Sequence, residues 1–330
     1  MYCFIFDGMK PVLLILDDWE GQIAKNLCWK ELKDTVEIKF LNEPIASATG
    51  ALLADVAFLM ALRERTALTE EVFNRLPKLK LVLQTGGHAY HIDQKAAQKR
   101  SIPIALGRRV KAPLISVPEL TFAMMLGLMH KVPLTQQAMH KGEWPLVMGR
   151  TLNGRRLGLL GLGRHGTRVA HIARTAFNME VVAWARPGSS VQPSNDIPRL
   201  PLDELLSTSD VVTIHLRLSP ESTGLMNTER LQKMKKDSVL INTSRGAIVD
   251  EAALVNALKN GPISAAGLDV YTHEPLPADS PLRSLNNVIL TPHIGWTVEE
   301  VFNEFAQIAC TQLQQYLNGA LPASELLPAI

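Results

Sequence analysis

Two groups of residues in this 330-residue chain have types and spacing suited to chemistry. The first is Leu157-Gly158-Leu159-Leu160-Gly161-Leu162-Gly163-Arg164-His165-Gly166, an apolar run entering Gly161-x-Gly163-x-x-Gly166, with a helix-compatible stretch at 167–177 behind it. In such a unit the first glycine permits the tight turn and the second lets a pyrophosphate approach the backbone. The third allows close packing of helix on strand, and the phosphates meet the positive helix N-terminus. The second group is dispersed: Asn242-Thr243-Ser244-Arg245-Gly246, Gly267-Leu268-Asp269-Val270, Glu274-Pro275 and Thr291-Pro292-His293-Ile294-Gly295. In open parallel sheets, ligands sit in the loops beyond the strands' carboxyl ends. Arg245, Glu274 and His293 would there form a coherent set for moving a hydride and a proton at a carbonyl. A guanidinium fork holds a carboxylate and polarises the neighbouring carbonyl. An imidazole gives the carbonyl oxygen a proton as hydride reaches carbon, and takes it back in reverse. A carboxylate beside the ring favours imidazolium.

Each residue also has a plainer role open to it: Arg245 as a surface cap, Glu274 as a solvated loop acid, His293 as a hydrogen-bonded packing residue. The segment after the next apolar run bears on the cofactor. Where an acid would hydrogen-bond the adenine ribose of NAD, the chain has Trp184-Ala185-Arg186-Pro187-Gly188. Without that acid a 2′-phosphate meets no repulsion, and Arg186 is able to pair with it, which leans the choice of NAD(H) or NADP(H) to the latter. Stacking on adenine or pointing to solvent are the other options for Arg186. His88 and His91 sit three apart, but no cysteine or acidic ligand pattern surrounds them, so loop histidines and no metal are expected.

These residues need a scaffold, and the chain supplies alternating elements. Short apolar runs at 12–16, 38–41, 56–60 and 80–84 alternate with helical patterns such as 69–76. Beyond Arg155 the runs are 157–160, 181–184, 211–215, 239–242, 265–268 and 288–290, six in all, the count of a doubly wound dinucleotide-binding sheet. Residues 119–130 form an apolar, methionine-containing helical stretch. Residues 298–317 carry apolar positions at helical spacing, and Asn318-Gly319 supplies a stop.

Hydrophobic residues at 46% and charged residues at 20% suit two globular cores and exclude a disordered chain. A net charge of +2, from 34 basic and 32 acidic residues, gives no electrostatic case for nucleic acid or anionic membrane. The apolar stretch 120–129 is short of the roughly 20 residues a membrane span needs. No secretory signal is expected in the first residues, and one reading makes 1–8 an upstream extension of the start at Met9. Cys3, Cys28 and Cys310 are scattered and odd in number, which argues for a reducing cytoplasm and against a disulfide frame.

With these residues in view, the strings NTSRGAIVDEAALVNAL, AAGLDVYTHEPLPADSPL and NVILTPHIGW, preceded by GLLGLGRHG, resemble the D-isomer-specific 2-hydroxyacid dehydrogenase family. The likeness runs over roughly residues 120–295 and less sharply over the N-terminal third. It implies an α/β protein: a doubly wound parallel-sheet (Rossmann) nucleotide-binding domain at 111–296 and a flavodoxin-like substrate-binding domain from 1–110 and 297–330. The family interconverts 2-keto acids and D-2-hydroxy acids with NAD(H) or NADP(H), usually as a homodimer whose domains close over the cofactor.

Position by position, the resemblance implies that Arg245 binds the substrate's carboxylate and carbonyl, His293 is the general acid/base, and Glu274 is its polarising partner. Cofactor contacts would come from Gly161, Gly163, Arg164, His165 and Gly166 at the pyrophosphate. Arg186, Leu216, Thr243, Ser244 and Gly295 would add others, and Asp269 would lie on the nicotinamide side. Ala61-Leu62-Arg63-Glu64-Arg65-Thr66 and Leu83-Gln84-Thr85-Gly86-Gly87 resemble the substrate-facing loops, with amides around Gly86 and Gly87 holding the substrate carboxylate near Arg63.

Four positions depart from the family pattern. The ribose acid is missing at Ala185, His165 replaces an aliphatic residue, Arg217 stands where proline is common, and Trp296 ends the catalytic loop. The favoured expectation is a cytoplasmic reductase of glyoxylate or hydroxypyruvate type. A 3-phosphoglycerate-type dehydrogenase is an alternative, although little chain follows the final helix to make a regulatory domain. Glu274, in place of a glutamine, argues against a formate dehydrogenase. A non-catalytic NAD(H)-sensing protein like the family's corepressors is the alternative from another class.

Overall fold

The computed structural model describes residues 10–186 and 196–328, so the expected extension at 1–8 lies outside the described residues. The chain divides into two compact units, Met1–Ala112 with Val298–Ile330, and Pro113–Thr297.

In the first unit, β1 (Val12–Leu16), β2 (Glu37–Leu41), β3 (Val56–Ala61), β4 (Leu81–Gln84) and β5 (Ile104–Leu106) form a parallel sheet in the order β2-β1-β3-β4-β5. That is the flavodoxin-like order. β1, β3 and β4 are buried along their whole length, as strands covered on both faces must be, and so appear in the sequence as unbroken apolar runs. Leu14, Leu59, Val82 and Ile104 share a core with Leu53 and Phe73. The sequence reading lacks β5, because three apolar residues between Pro103 and Gly107 are too few to show a period. The helix Glu70–Asn74 starts at Thr69, whose side chain accepts the Val72 N–H. The last helix, Glu299–Leu317, buries Val301, Phe302, Phe305, Ala309 and Leu313, and Gly319 follows its end at φ 68°. The Tyr316 hydroxyl donates to the Lys80 carbonyl at 3.1 Å, tying this helix to the start of β4.

In the second unit, β6 (Arg156–Leu160), β7 (Glu180–Trp184), β8 (Val211–Ile214), β9 (Ser238–Asn242), β10 (Ile263–Leu268) and β11 (Val288–Leu290) are parallel in the order β11-β10-β9-β8-β6-β7. A parallel bridge between Ala183 and Arg199 adds a seventh position outside β7. There the Ala183 N–H donates to the Pro198 carbonyl at 2.9 Å, and the Leu200 N–H to the Ala183 carbonyl at 3.0 Å. With that position included, the order is the one of doubly wound dinucleotide sheets, reversing between β6 and β8. Prolines at 198 and 201 hide this seventh position from a pattern search.

Alternate residues feed two cores on the two faces of this sheet. Leu160, Val212, Leu240 and Ala266 face one core; Leu159, Val211, Val239 and Ala265 face the other. The helix expected at 119–130 runs from Pro113 to Met129 with Pro118 inside it. Pro118-Glu119 has the look of a helix start, but Ser116 and Pro118 are buried, and packing carries the helix back to Pro113, where a missing N–H costs nothing. Lys131, at φ 60°, then turns the chain into Val132–His140. No single helix among the described residues is long and apolar enough to cross a membrane.

Candidate active site

The glycine turn sits at the sheet's reversal point. Gly161 follows β6 at φ 103°, its N–H donating to the Trp184 carbonyl at 2.8 Å. A Cβ there would stand 2.6 Å from the His215 carbonyl oxygen, and one at Gly166 would stand 2.2 Å from the Gly161 oxygen. Only glycine fits either place. At Gly163, by contrast, nothing lies within 4 Å of the Cβ position, and this residue caps the helix Arg164–Phe177. An open approach to the N-terminus of a 14-residue helix is what a pyrophosphate requires. Beside it the His165 Nδ1 is buried without a hydrogen-bond partner among the described residues. Burial, then the Arg164 and Arg245 charges, hold His165 below the usual histidine range. Burial and His165 pull His215 down to about 3. These residues therefore fit a dinucleotide.

Arg186 lies just past β7, exposed, with Nη1 donating to Ser219 Oγ at 3.2 Å and to Glu221 Oε2 at 3.3 Å. Its neighbours Pro187 and Gly188 lie outside the described residues.

The turn after β9 is built by Asn242, which sequence reasoning missed as a positioning residue. Its side chain accepts the Ser244 N–H at 3.0 Å and donates to the Arg245 carbonyl at 2.9 Å. An asparagine at a strand end followed two residues later by serine is the signal for such a turn. The Thr243 hydroxyl meets that of Thr121 at 3.0 Å, and the Ser244 hydroxyl donates to the Leu216 carbonyl. The Arg245 Nη1 donates to the Ser244 carbonyl at 2.7 Å.

The loops after β10 and β11 are joined by a buried acid. Asp269, 1% exposed, accepts the Thr291 hydroxyl and the Ile294 N–H (2.8 Å) on Oδ1, and the Gly295 N–H (2.9 Å) on Oδ2. The Gly295 carbonyl accepts the Ser116 hydroxyl at 2.7 Å. His293 is thus gripped from both sides in a left-handed conformation, φ 57°. Its Nδ1 lies 2.6 Å from Glu274 Oε2, while Glu274 Oε1 accepts the Tyr271 N–H at 2.9 Å. Tyr271 was also missed: its hydroxyl donates to the Leu268 and Thr291 carbonyls (3.1 and 2.9 Å), bridging the ends of β10 and β11.

The two acids of this loop are pushed in opposite directions. Burial raises Asp269 despite its three donors. Burial also acts on Glu274, but the bond and charge of His293, the Tyr271 amide and the Arg245 charge outweigh it and hold this carboxyl below the usual range. An ionised Glu274 only accepts, so the proton between the pair belongs on Nδ1, and Nε2 stands outside the pair.

In the first unit, the loops after β3 and β4 bring Arg63 and Gly86 together. The Arg63 N–H donates to Thr85 Oγ1 at 2.7 Å, and a Cβ on Gly86 (φ 95°) would lie 2.3 Å from Arg63 Nη1. Glu64 pairs with Arg63 at 3.4 Å and with His88 at 3.0 Å. Gly87 adjoins, with Arg108 Cγ 3.8 Å from its Cβ position. Burial lowers His91, with Glu64 opposing and Arg63 assisting. Among the described residues, no group of three or more His, Cys, Asp or Glu is placed to hold a metal ion.

With this geometry in hand, comparison with known proteins is informative. The pattern of the family described as "D-isomer specific 2-hydroxyacid dehydrogenase, NAD binding domain" matches residues 122–295. A hydroxypyruvate reductase of Blautia hydrogenotrophica is 32% identical, the match covering 92% of this chain and 93% of that protein. A D-3-phosphoglycerate dehydrogenase of Methanocaldococcus jannaschii is 34% identical over 86% of this chain but only 56% of its own length. Among solved structures, D-lactate dehydrogenase from Aquifex aeolicus, complexed with NAD and lactic acid, matches with TM-score 0.79 and 26% identity, covering 96% of this chain and 98% of that one. The glycine turn, the His293–Glu274 pair and Arg245 all fall inside the matched segment, and the chain belongs to the D-isomer-specific 2-hydroxyacid dehydrogenase family, as an NAD-dependent oxidoreductase of 2-hydroxy acids.

Proposed function

We propose that this dehydrogenase reduces a small 2-keto acid of the glyoxylate or hydroxypyruvate type, working as a cytoplasmic homodimer and favouring NADPH. The Pro113–Thr297 unit holds the dinucleotide and the other unit the substrate. The observation that carries this reading is the His293–Glu274 pair at 2.6 Å, on a loop fixed by the buried Asp269. When bound, the reduced nicotinamide supplies the hydride. Arg245 holds the keto acid's carboxylate and polarises its carbonyl. Nε2 of His293 delivers the proton to the carbonyl oxygen, and Glu274 keeps Nδ1 protonated and balances the imidazolium. Asp269 keeps the His293 loop in place beside the nicotinamide. Arg63 and the amides around Gly86 and Gly87 bind the carboxylate from the substrate-holding unit.

Gly161, Gly163 and Gly166, with Arg164 and His165, line the pyrophosphate; Leu216, Thr243, Ser244 and Gly295 shape the rest of the cofactor's bed. Arg186 pairs with the 2′-phosphate. Its present partner Glu221 is exposed, and solvent screens such a pair, so a phosphate displaces it readily. A second copy of the chain covers the apolar strip at 132–148, where Trp144 is 81% and Leu146 94% exposed.

The test is initial-rate oxidation of NADPH and NADH against glyoxylate, hydroxypyruvate, pyruvate, phenylpyruvate and branched 2-keto acids, with 3-phosphoglycerate oxidation in parallel. Fastest turnover on glyoxylate or hydroxypyruvate with NADPH supports the reading. The named relatives favour 3-phosphoglycerate as the second reading, and turnover on that substrate alone overturns the first.

A further inference from the structure

Cys28 and Cys310 are 282 residues apart, yet the fold of the first unit sets them side by side. The short 3₁₀ turn Leu27–Glu31 lies along the last helix, Glu299–Leu317, and its ends are pinned to that helix. At one end, Asn26 Nδ2 donates to Asn303 Oδ1 at 3.2 Å; at the other, Gln314 Nε2 donates to Glu31 Oε2 at 2.9 Å. Asn303 and Gln314 are about three helical turns apart, and Cys310 lies between them. Its thiol donates to the Cys28 carbonyl at 3.2 Å. Both cysteines are free thiols; Cys310 is buried and Cys28 half-buried. The interaction of the two side chains pushes the Cys28 thiol up and draws Cys310 down, so Cys310 is the one that gives up its proton more readily.

We infer that Cys28 and Cys310 form a reversible disulfide, a site of oxidative modification by a peroxide. The Cys310 thiolate attacks a peroxide oxygen; the O–O bond breaks, leaving a sulfenic acid on Cys310 and releasing hydroxide, which takes up the proton Cys310 gave. Cys28 Sγ then attacks the Cys310 sulfur; the S–S bond forms, the S–O bond breaks, and the departing hydroxide takes up the Cys28 proton. In sum, two thiols and one hydrogen peroxide become one disulfide and two waters. A dithiol returns both electrons and both protons by exchange. The bond ties the segment after β1 to the last helix at the point where hydrogen bonds already hold them in register.

The experiment treats the full chain with hydrogen peroxide, blocks remaining thiols with iodoacetamide, and maps it by mass spectrometry. Before alkylation the intact mass should fall by about 2 Da, the two hydrogens lost, and digestion of the alkylated chain should yield a Cys28–Cys310 linked peptide that dithiothreitol releases. Cys28→Ser should abolish the loss and Cys3→Ser should leave it unchanged. Oxygen adducts with both cysteines alkylated, or a linked peptide containing Cys3, would overturn the inference. Mapping in the native chain decides the matter even if a variant folds poorly.

Discussion

The loops after β10 and β11 and the loops after β3 and β4 solve the same problem differently. In the former, side chains fix the backbone: Asp269 takes three donors, Tyr271 bridges two carbonyls, and Glu274 is held by an amide while it holds His293. In the latter, backbone conformation fixes the side chains. Arg63 and Gly86 both adopt positive φ, at 54° and 95°, and the guanidinium covers the face where a Cβ would stand. The first arrangement suits an imidazole that must keep one tautomer and one orientation.

Asp269→Ala should break the first arrangement most severely. Three donors would lose their acceptor at a site almost closed to water, and unpaired buried donors cost about 1–3 kcal/mol each. Chemical denaturation should show a loss of about 3–5 kcal/mol, with turnover falling as the His293 loop loosens. A loss within 1 kcal/mol would mean the loop is held by something else.

The second arrangement should yield to Gly86→Ala, through strain at φ 95° and the displaced guanidinium. A destabilisation of about 1–2 kcal/mol is expected with a raised KM for the keto acid. Gly87→Ala, whose Cβ meets only Arg108 Cγ at 3.8 Å, should be close to neutral. Equal effects of the two substitutions would remove the distinction.

The contrast between the two acids appears in pH. Glu274 is held below its usual value of 4.5, so its contribution to stability is complete above that value and is lost as pH falls through the lowered one. The Tm gap between the native chain and Glu274→Gln should be constant above a pH of about 5 and close below it. Asp269, raised from 3.8, works with the opposite sign: its ionisation costs stability as pH rises through the interval between its unfolded and folded values. A gap that closes with rising pH would contradict the assignment for Glu274.

The smallest expected effect lies at the cofactor's edge. Arg186→Ala should lower the NADPH-to-NADH ratio of kcat/KM about tenfold, the worth of one charge-assisted phosphate contact. Glu221→Gln should raise it slightly. An unchanged ratio in Arg186→Ala would leave the arginine with its ion pair as its only role.

What was legible in the sequence follows the same division. Glycines at fixed spacing and the strings around Arg245, Glu274 and His293 are local signals, and the fold confirms the strand-turn-helix unit and the doubly wound sheet they imply. The supports were not legible. Tyr271 acts by reaching carbonyls 3 and 20 residues away, and nothing in its neighbourhood announces that. β5 and the bridge at Arg199 are too short or too rich in proline to show a period. Cys28 and Cys310 are scattered in sequence, and only tertiary packing makes them neighbours.

The central claim is that His293, held by Glu274, moves the proton in hydride transfer. Its most direct test is His293→Ala, with kcat on the best keto acid and NADPH affinity by fluorescence titration measured on the same preparation. The account predicts a fall in kcat of about 10²–10⁴-fold with cofactor affinity nearly unchanged. Turnover within a few-fold of the native chain would contradict it.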